Sequence, residues 1–427
     1  MTDHVLVVGA GVVGLSTAWF LQEHDVRVTV VDRGRVGAGA SWGNAGWLSP
    51  NLAIPLNEPG VLLQGPRSLL DPDAPLSIPP TASPALWAFL SRFAAHCRWP
   101  AWERAVRANL PLNTACLEAF DELEKAGVAT TAVSAPVTAL FHSPKAALVL
   151  LHELDSLGLA VERTVLAGDD AHGLVPQAAG SIRAAVRLAG QRHVDPGTLV
   201  RNLAASVRER GGTVREGFDA AAVHRSGSTV TVVSADGEPL RADAAAVCTG
   251  AWADRLLRPL GVRVPVRAGR GYSFTVPVDE PVPGPVYLPE ARVACTPYRG
   301  ALRVAGTMEF RGPDEALRPR RVEAIVRSAR PFLRGVRWSE RSDVWVGPRP
   351  VTPDGVPLVG ATRVPGVYTA TGHGMWGLTH GPVTGRLLAE RIATGRTPAA
   401  MNALDPLRRR PSPAGAATPA PGALRRR

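Results

Sequence analysis

The chain has 427 residues, 45% hydrophobic and 20% charged, a balance that fits a folded globular protein and excludes a disordered one. Its formal charge is +11, but residues 404–427 alone hold six arginines against one aspartate. The rest shows no basic stripe interleaved with aromatics, so nucleic-acid binding is not expected.

No window reaches the roughly 18 uncharged apolar residues of a membrane span. The apolar start, residues 5–21, is broken by Gly9, Gly11 and Gly14 and lacks a basic leader, so it reads as a strand and helix rather than a signal peptide. A cytoplasmic location is expected. Cys97, Cys116, Cys248 and Cys295 show no CxxC spacing, which argues against a zinc site or disulfide framework. No metal site is expected.

In chain order, residues 4–8 form a β-rich apolar run followed at once by Gly9-Ala10-Gly11-Val12-Val13-Gly14. Leu15, Ala18, Trp19 and Gln22 continue with helical spacing, and residues 26–31 form a second strand ending at Asp32. From 50 to about 111, prolines alternate with apolar and aromatic residues without long periodicity. An irregular or short-helical segment is expected there, part of a second domain or a lid. Asp195-Pro196 opens a helix in which Leu199, Leu203 and Val207 repeat, ended by Gly211-Gly212. Strands are expected at 213–216, 229–233 and 244–248, the last leading into Thr249-Gly250. Alternating segments from 264 to 307 predict a mainly antiparallel sheet. A glycine-rich loop at 371–377 and a helix at 382–394 follow. Residues 404–427, rich in Pro, Ala, Gly and Arg, are expected to be disordered. That tail leaves open peripheral contact with anionic lipid on the inner face of the membrane.

Gly9-x-Gly11-x-x-Gly14 sits between a strand and a helix, as a dinucleotide fingerprint requires. The first glycine permits the turn, the second admits a pyrophosphate to the backbone, and the third lets helix and strand pack closely. The helix N-terminus offers free N–H groups to the phosphates. Asp32, 18 positions after Gly14, is placed for ribose hydroxyls and disfavours a ribose phosphate. NAD and FAD both remain open on these residues.

Three further loops point onward: residues 40–46 (Ala-Ser-Trp-Gly-Asn-Ala-Gly), 246–250 (Ala-Val-Cys-Thr-Gly) and 372–379 (Gly-His-Gly-Met-Trp-Gly-Leu-Thr). With Ser49-Pro50, Arg349-Pro350-Val351-Thr352-Pro353-Asp354-Gly355-Val356-Pro357 and residues 360–363, they resemble, in order, motifs of the D-amino acid oxidase/glycine oxidase superfamily. Within it the likeness is nearest to the D-amino acid dehydrogenase small subunits. The likeness runs to about residue 397 and is weaker from 120 to 191 and from 277 to 292.

The resemblance implies an α/β fold, in which a Rossmann-like FAD-binding domain of the glutathione-reductase type is interleaved with an α+β substrate domain on a mainly antiparallel sheet. The expected FAD-binding parts are 1–50, 191–262 and 343–403, and the substrate parts are 51–190 and 263–342. It implies noncovalent FAD on Gly9, Gly11, Val12, Val13, Gly14, Asp32, Arg33, Ser41, Asn44, Ala45, Gly46, Thr249, Gly250, Gly372, His373, Gly374, Gly377, Leu378 and Thr379. Arg349 takes the position of the carboxylate-binding arginine, and His373 is a second candidate catalytic residue. Tyr272 and Tyr298 are candidate substrate contacts.

The implied reaction is oxidative deamination of a small amino acid, foremost a D-amino acid, by hydride transfer from Cα to flavin N5. The resulting imine hydrolyses to a 2-oxo acid and ammonia. A secondary amine (a D-proline derivative, glycine or sarcosine) and a tailoring amine oxidation in secondary metabolism stay open. So does the electron acceptor: oxygen, a quinone or a carrier protein.

Overall fold

The computed structural model describes residues 2–62, 71, 73–79, 81–129, 131–155 and 161–408. Two sheets organise these residues. The first has the order Thr213–Arg215, Arg27–Val31, His4–Val8, Ala244–Val247, Val367–Thr371 and Leu358–Ala361. All neighbours in it are parallel except the last pair. Its central strands are nearly continuous apolar runs because both faces are covered. Helices Val12–Gln22, Pro196–Glu209 and Gly377–Thr394 bury Leu15, Leu203 and Leu388 against one face. On the other, a three-stranded meander, Ala220–Ser226, Thr229–Ser234 and Pro239–Ala242, packs Val223 and Val230 against Leu6 and Val8.

The second sheet runs Ser342–Val351, Arg267–Val276, Ala301–Phe310, Val293–Tyr298, Val286–Leu288, Val137–Phe141, Ala184–Leu188 and Arg163–Ala167. Along that path every pair is antiparallel except Val286–Leu288 with Val137–Phe141. Strand alternation divides its two faces. Leu140 joins the core under helix Pro319–Ala329, while Val137, Ala139 and Phe141 pack on helix Pro144–Asp155. The expected pairing of a parallel dinucleotide sheet with a mainly antiparallel one is therefore correct.

Four details differ from the sequence expectations. The stretch expected to be irregular or short-helical contains helix Pro84–His96 and then the 27-residue helix Trp99–Lys125, longer than expected, with Pro111 inside it. Its buried positions, Trp102, Ala105, Val106, Asn109, Leu112, Asn113, Cys116, Ala119, Phe120 and Leu123, keep helical spacing across the proline. Burial of that stripe outweighs the one backbone bond Pro111 cannot make. Helix Gly377–Thr394 starts five residues before the expected Pro382, so part of the glycine-rich loop is its first turn. Residues 343–351 belong to the edge strand of the second sheet, in register with Arg267–Val276. Finally, residues 404–408, expected as the beginning of the tail, are folded. Leu404 is buried, and Arg408 donates to both oxygens of Asp354 at 2.9 and 3.0 Å. Composition could not show that Asp354 waits for that arginine. The remaining tail, 409–427, lies outside the described residues. Among the described residues, no helix is long and apolar enough to cross a membrane.

Candidate active site

Two cavities meet between the sheets. The larger, about 640 Å³, runs along the carboxyl ends of the parallel strands, from Arg33 and Trp252 to Leu378 and Arg349. The smaller, about 210 Å³, lies over the second sheet. Ala40, Asn44, Arg349 and Met375 line both.

The glycine turn shapes one end of the larger cavity. Gly9 has φ +114°, and a Cβ there would lie 2.5 Å from the Cys248 carbonyl oxygen. A Cβ on Gly14 would lie 1.9 Å from the Gly9 carbonyl oxygen, which fixes the helix close to its strand. Asp32 accepts from the Ala10 N–H at 2.7 Å and the Gly34 N–H at 2.8 Å, so it closes the turn with its own carboxylate. Ser41 Oγ accepts from the Val12 N–H at 3.1 Å and ties the second loop to the first. Arg33 lies 4.1 Å above the Trp252 ring and pairs with Asp314, which also accepts from the Trp252 indole N–H.

At the other end Trp376, the N-cap residue of helix Gly377–Thr394, makes no side-chain cap bond to the first turn, whose N–H groups and dipole favour negative charge. His373 is 4% exposed and shares a 3.0 Å hydrogen bond between Nε2 and Thr384 Oγ1. Burial pulls its pKa down to about 4, so the imidazole is neutral near pH 7. Two buried polar atoms, His373 Nδ1 and Thr249 Oγ1, belong to lining residues and have no partner among the described residues. Buried polar groups are normally paired. Unpaired atoms, an uncapped helix and a glycine turn along one elongated cavity fit a dinucleotide.

Gly9, Gly11, Val12, Val13, Asp32, Arg33, Ser41, Asn44, Thr249, Gly250, His373, Gly374, Gly377 and Leu378 all line the larger cavity. Ala45 lines only the smaller one. Gly14, Gly46, Gly372 and Thr379 line neither and act from behind. A Cβ on Gly46 would lie 2.3 Å from the Val194 carbonyl oxygen, and Thr379 Oγ1 donates to the Trp47 carbonyl at 3.0 Å.

Arg349 reaches from the edge strand across Gly271, where a Cβ would lie 2.0 Å from its Cζ, and Nη1 donates to the Thr307 carbonyl at 2.7 Å. It is half-buried and has no acidic partner among the described residues. Burial draws its pKa down to about 10, which still leaves it cationic near neutral pH.

The tyrosine expectations fare differently. The Tyr272 ring lines the smaller cavity, but its hydroxyl donates to buried Glu309 at 2.7 Å, which with burial pushes its pKa up to about 12. Tyr298 lines neither cavity; the guanidinium of Arg303 covers its ring at 4.1 Å. Tyr298 shares a strand face with Ala294, which lines the smaller cavity, but sits at the far end of the strand, opposite Ala301, beyond the cavity's edge. Sequence reasoning missed Trp345, Tyr287, Glu58, Glu153 and Arg292, all on the smaller cavity. Three of them come from positions 58, 153 and 292, and no local pattern joins them. Trp345 carried a local signal, since Gly347 lies two residues on. A Cβ at Gly43 or Gly347 would lie 2.1 or 1.8 Å from its indole.

Residues 4–391 match the family model described as FAD dependent oxidoreductase. A D-amino acid dehydrogenase of Methylobacterium radiotolerans is 36% identical over 418 residues, 92% of this chain and 96% of that protein. One from Xylella fastidiosa is 34% identical over 403 residues, 91% of each. Among solved structures, glycine oxidase from Geobacillus kaustophilus superposes with a TM-score of 0.73 at 21% identity, covering 96% of this chain and 100% of that one. The chain belongs to the FAD dependent oxidoreductase family, and FAD is its cofactor.

Proposed function

Proceeding from that membership, we propose that the chain oxidises the α-amine of a small amino acid, a D-amino acid foremost, to an imine that water hydrolyses to a 2-oxo acid and ammonia. One observation carries the reading: an arginine with no carboxylate partner among the described residues, at the junction of a dinucleotide-sized cavity and an amino-acid-sized one. The names of the curated relatives favour the D-isomer.

FAD would be held along the larger cavity, with the turn of Gly9 and Gly11 offered to its pyrophosphate and Asp32 to its ribose. Asn44, His373 and the first turn of helix Gly377–Thr394 would hold its ring end. Bound FAD supplies a two-electron acceptor, the chemistry that amine oxidation needs and side chains lack. The guanidinium of Arg349 receives the substrate α-carboxylate through two parallel hydrogen bonds and so fixes Cα. Trp345, Met308 and Trp47 are apolar walls that limit water near Cα. Neutral His373 offers hydrogen bonding rather than proton uptake at neutral pH.

The test is anaerobic addition of D- and L-amino acids to the purified holoprotein while its visible flavin band is followed. Bleaching by D-amino acids, with kcat/KM about a hundredfold lower in Arg349→Ala, is the expected result; a charge-assisted, bidentate pair of hydrogen bonds is worth about that much. A flavin that no amino acid bleaches would sink the reading.

A further inference from the structure

The far wall of the smaller cavity carries ionisable side chains that this chemistry leaves unused. Arg292, held at φ +53°, donates to Glu58 at 2.5 Å. Glu153, near the end of helix Pro144–Asp155, lines the same space, yet it accepts no hydrogen bond and makes no ion pair among the described residues. Tyr287 completes the group, its ring edge-on to Trp47 with centroids 5.7 Å apart. The Glu58–Arg292 pair is internally compensated, so an ionised Glu153 leaves this end one negative charge in excess.

The register sets the distance to Arg349. Its guanidinium rests on the Thr307 carbonyl of strand Ala301–Phe310. Tyr287 lies two strands further on, opposite Ala294, which itself pairs with Ala305. Two strand spacings combined with the two-residue offset from Thr307 to Ala305 put these backbone positions about 12 Å apart. The floor between is small, made of Ala294, Ala305 and Gly306. A volume of about 210 Å³ is roughly seven water volumes, the scale of one amino acid. A cation at Arg349 and an unpaired carboxylate across the floor complement a molecule with a carboxylate at one end and a cation at the other.

We infer that this far wall selects amino acids whose side chain ends in a cationic hydrogen-bond donor, and that Glu153 receives that group. The inference rests on the amino acid reading above. An apolar side chain of the same length would strip water from Glu153 and return no hydrogen bond. Burial, reinforced by Glu58 and opposed by Arg292, lifts the Glu153 carboxyl to about 7, consistent with a site that lacks its counter-ion.

The holoprotein is assayed anaerobically with D-lysine and with D-2-aminoheptanoate, which has a methyl in place of the terminal ammonium. The kcat/KM ratio is expected to favour lysine about tenfold or more, and Glu153→Gln is expected to bring it towards one through KM. A wild-type ratio at or below one, or a ratio the variant does not move, overturns the inference. Binding of 6-aminohexanoate against heptanoate answers the same question without turnover or a variant, should E153Q fail to fold. Tighter binding of the amino acid form supports the site, and equal or weaker binding overturns it. If D-alanine bleaches the flavin while the ratio stays flat, only the specificity fails. If no amino acid bleaches it, the substrate reading falls and takes the specificity with it.

Discussion

The two cavities are built in opposite ways. The larger draws much of its wall from short stretches within 9–13, 31–34, 38–41 and 373–378, rich in glycine and offering backbone. The smaller includes the loop 43–45 and uses 54–56 and 305–308, but its charged and large aromatic walls are single side chains from positions as far apart as Glu58, Glu153, Arg292 and Trp345. A site that must approach a large ligand with N–H groups and no intruding Cβ writes itself into local glycine patterns. A site that grips a small ligand through side chains needs only that the fold bring them together, and it leaves no local trace. The first should be sensitive to added atoms, the second to exchanged functional groups.

The largest effect expected is from Gly14→Ala. Its Cβ would lie 1.9 Å from the Gly9 carbonyl oxygen, with no flexible neighbour to yield. The variant should purify without flavin or fail to fold, read by absorbance at equal protein concentration. If it retains full flavin, the cradle is looser than these distances require. Gly271→Ala separates the two cavities: its Cβ would displace the Arg349 guanidinium, 2.0 Å away, without touching the dinucleotide turn. Flavin content should hold while kcat/KM falls about a hundredfold, as for the loss of Arg349 itself. Equal loss of flavin would erase the distinction.

A smaller effect tests the far wall. The carboxyl of Glu153, at about 7 among Glu58, Arg292 and Tyr287, ionises as pH rises from 6 to 8. The lysine to 2-aminoheptanoate ratio should therefore climb over that interval, by up to about tenfold, because only the ionised form pairs with the ammonium. A flat ratio would detach Glu153 from selection. The smallest effect concerns stability. His373 and His380 are buried, their pKa values drawn down to about 4 and about 3. Below the ordinary value of 6.5 the unfolded chain takes up protons that the folded imidazoles refuse, so stability falls as pH drops from 6.5 towards 4. Replacing His380 with Gln, which can keep a bond to Asn113, should flatten the fall of Tm with acid. An unchanged slope would place the acid sensitivity elsewhere.

Part of the first region was readable from residue order: Gly9, Gly11 and Asp32 sit in a run whose backbone must turn or approach closely, and such demands are met by neighbours in sequence. Ser41, Thr249 and His373 were named through the motif resemblance, and all six line the larger cavity. Strand periodicity likewise announced the mixed architecture. The helix through Pro111 was not readable, because a proline signals a break and only the buried stripe against the body overrides it. Tyr298 was misplaced for a related reason: it is on the strand face of Ala294, but how far along that face the cavity extends depends on elements distant in the chain. Arg349 could be named in advance through the motif resemblance, but its lack of a carboxylate partner among the described residues could not, since pairing is decided by what the fold brings near. The same holds for Glu153 and Arg408: among the described residues one has no hydrogen-bond or ion-pair partner and the other is joined to Asp354. Local backbone geometry was determined by the sequence itself. The pairing and desolvation of charges was decided only by tertiary structure, because both depend on contacts between residues far apart in the chain.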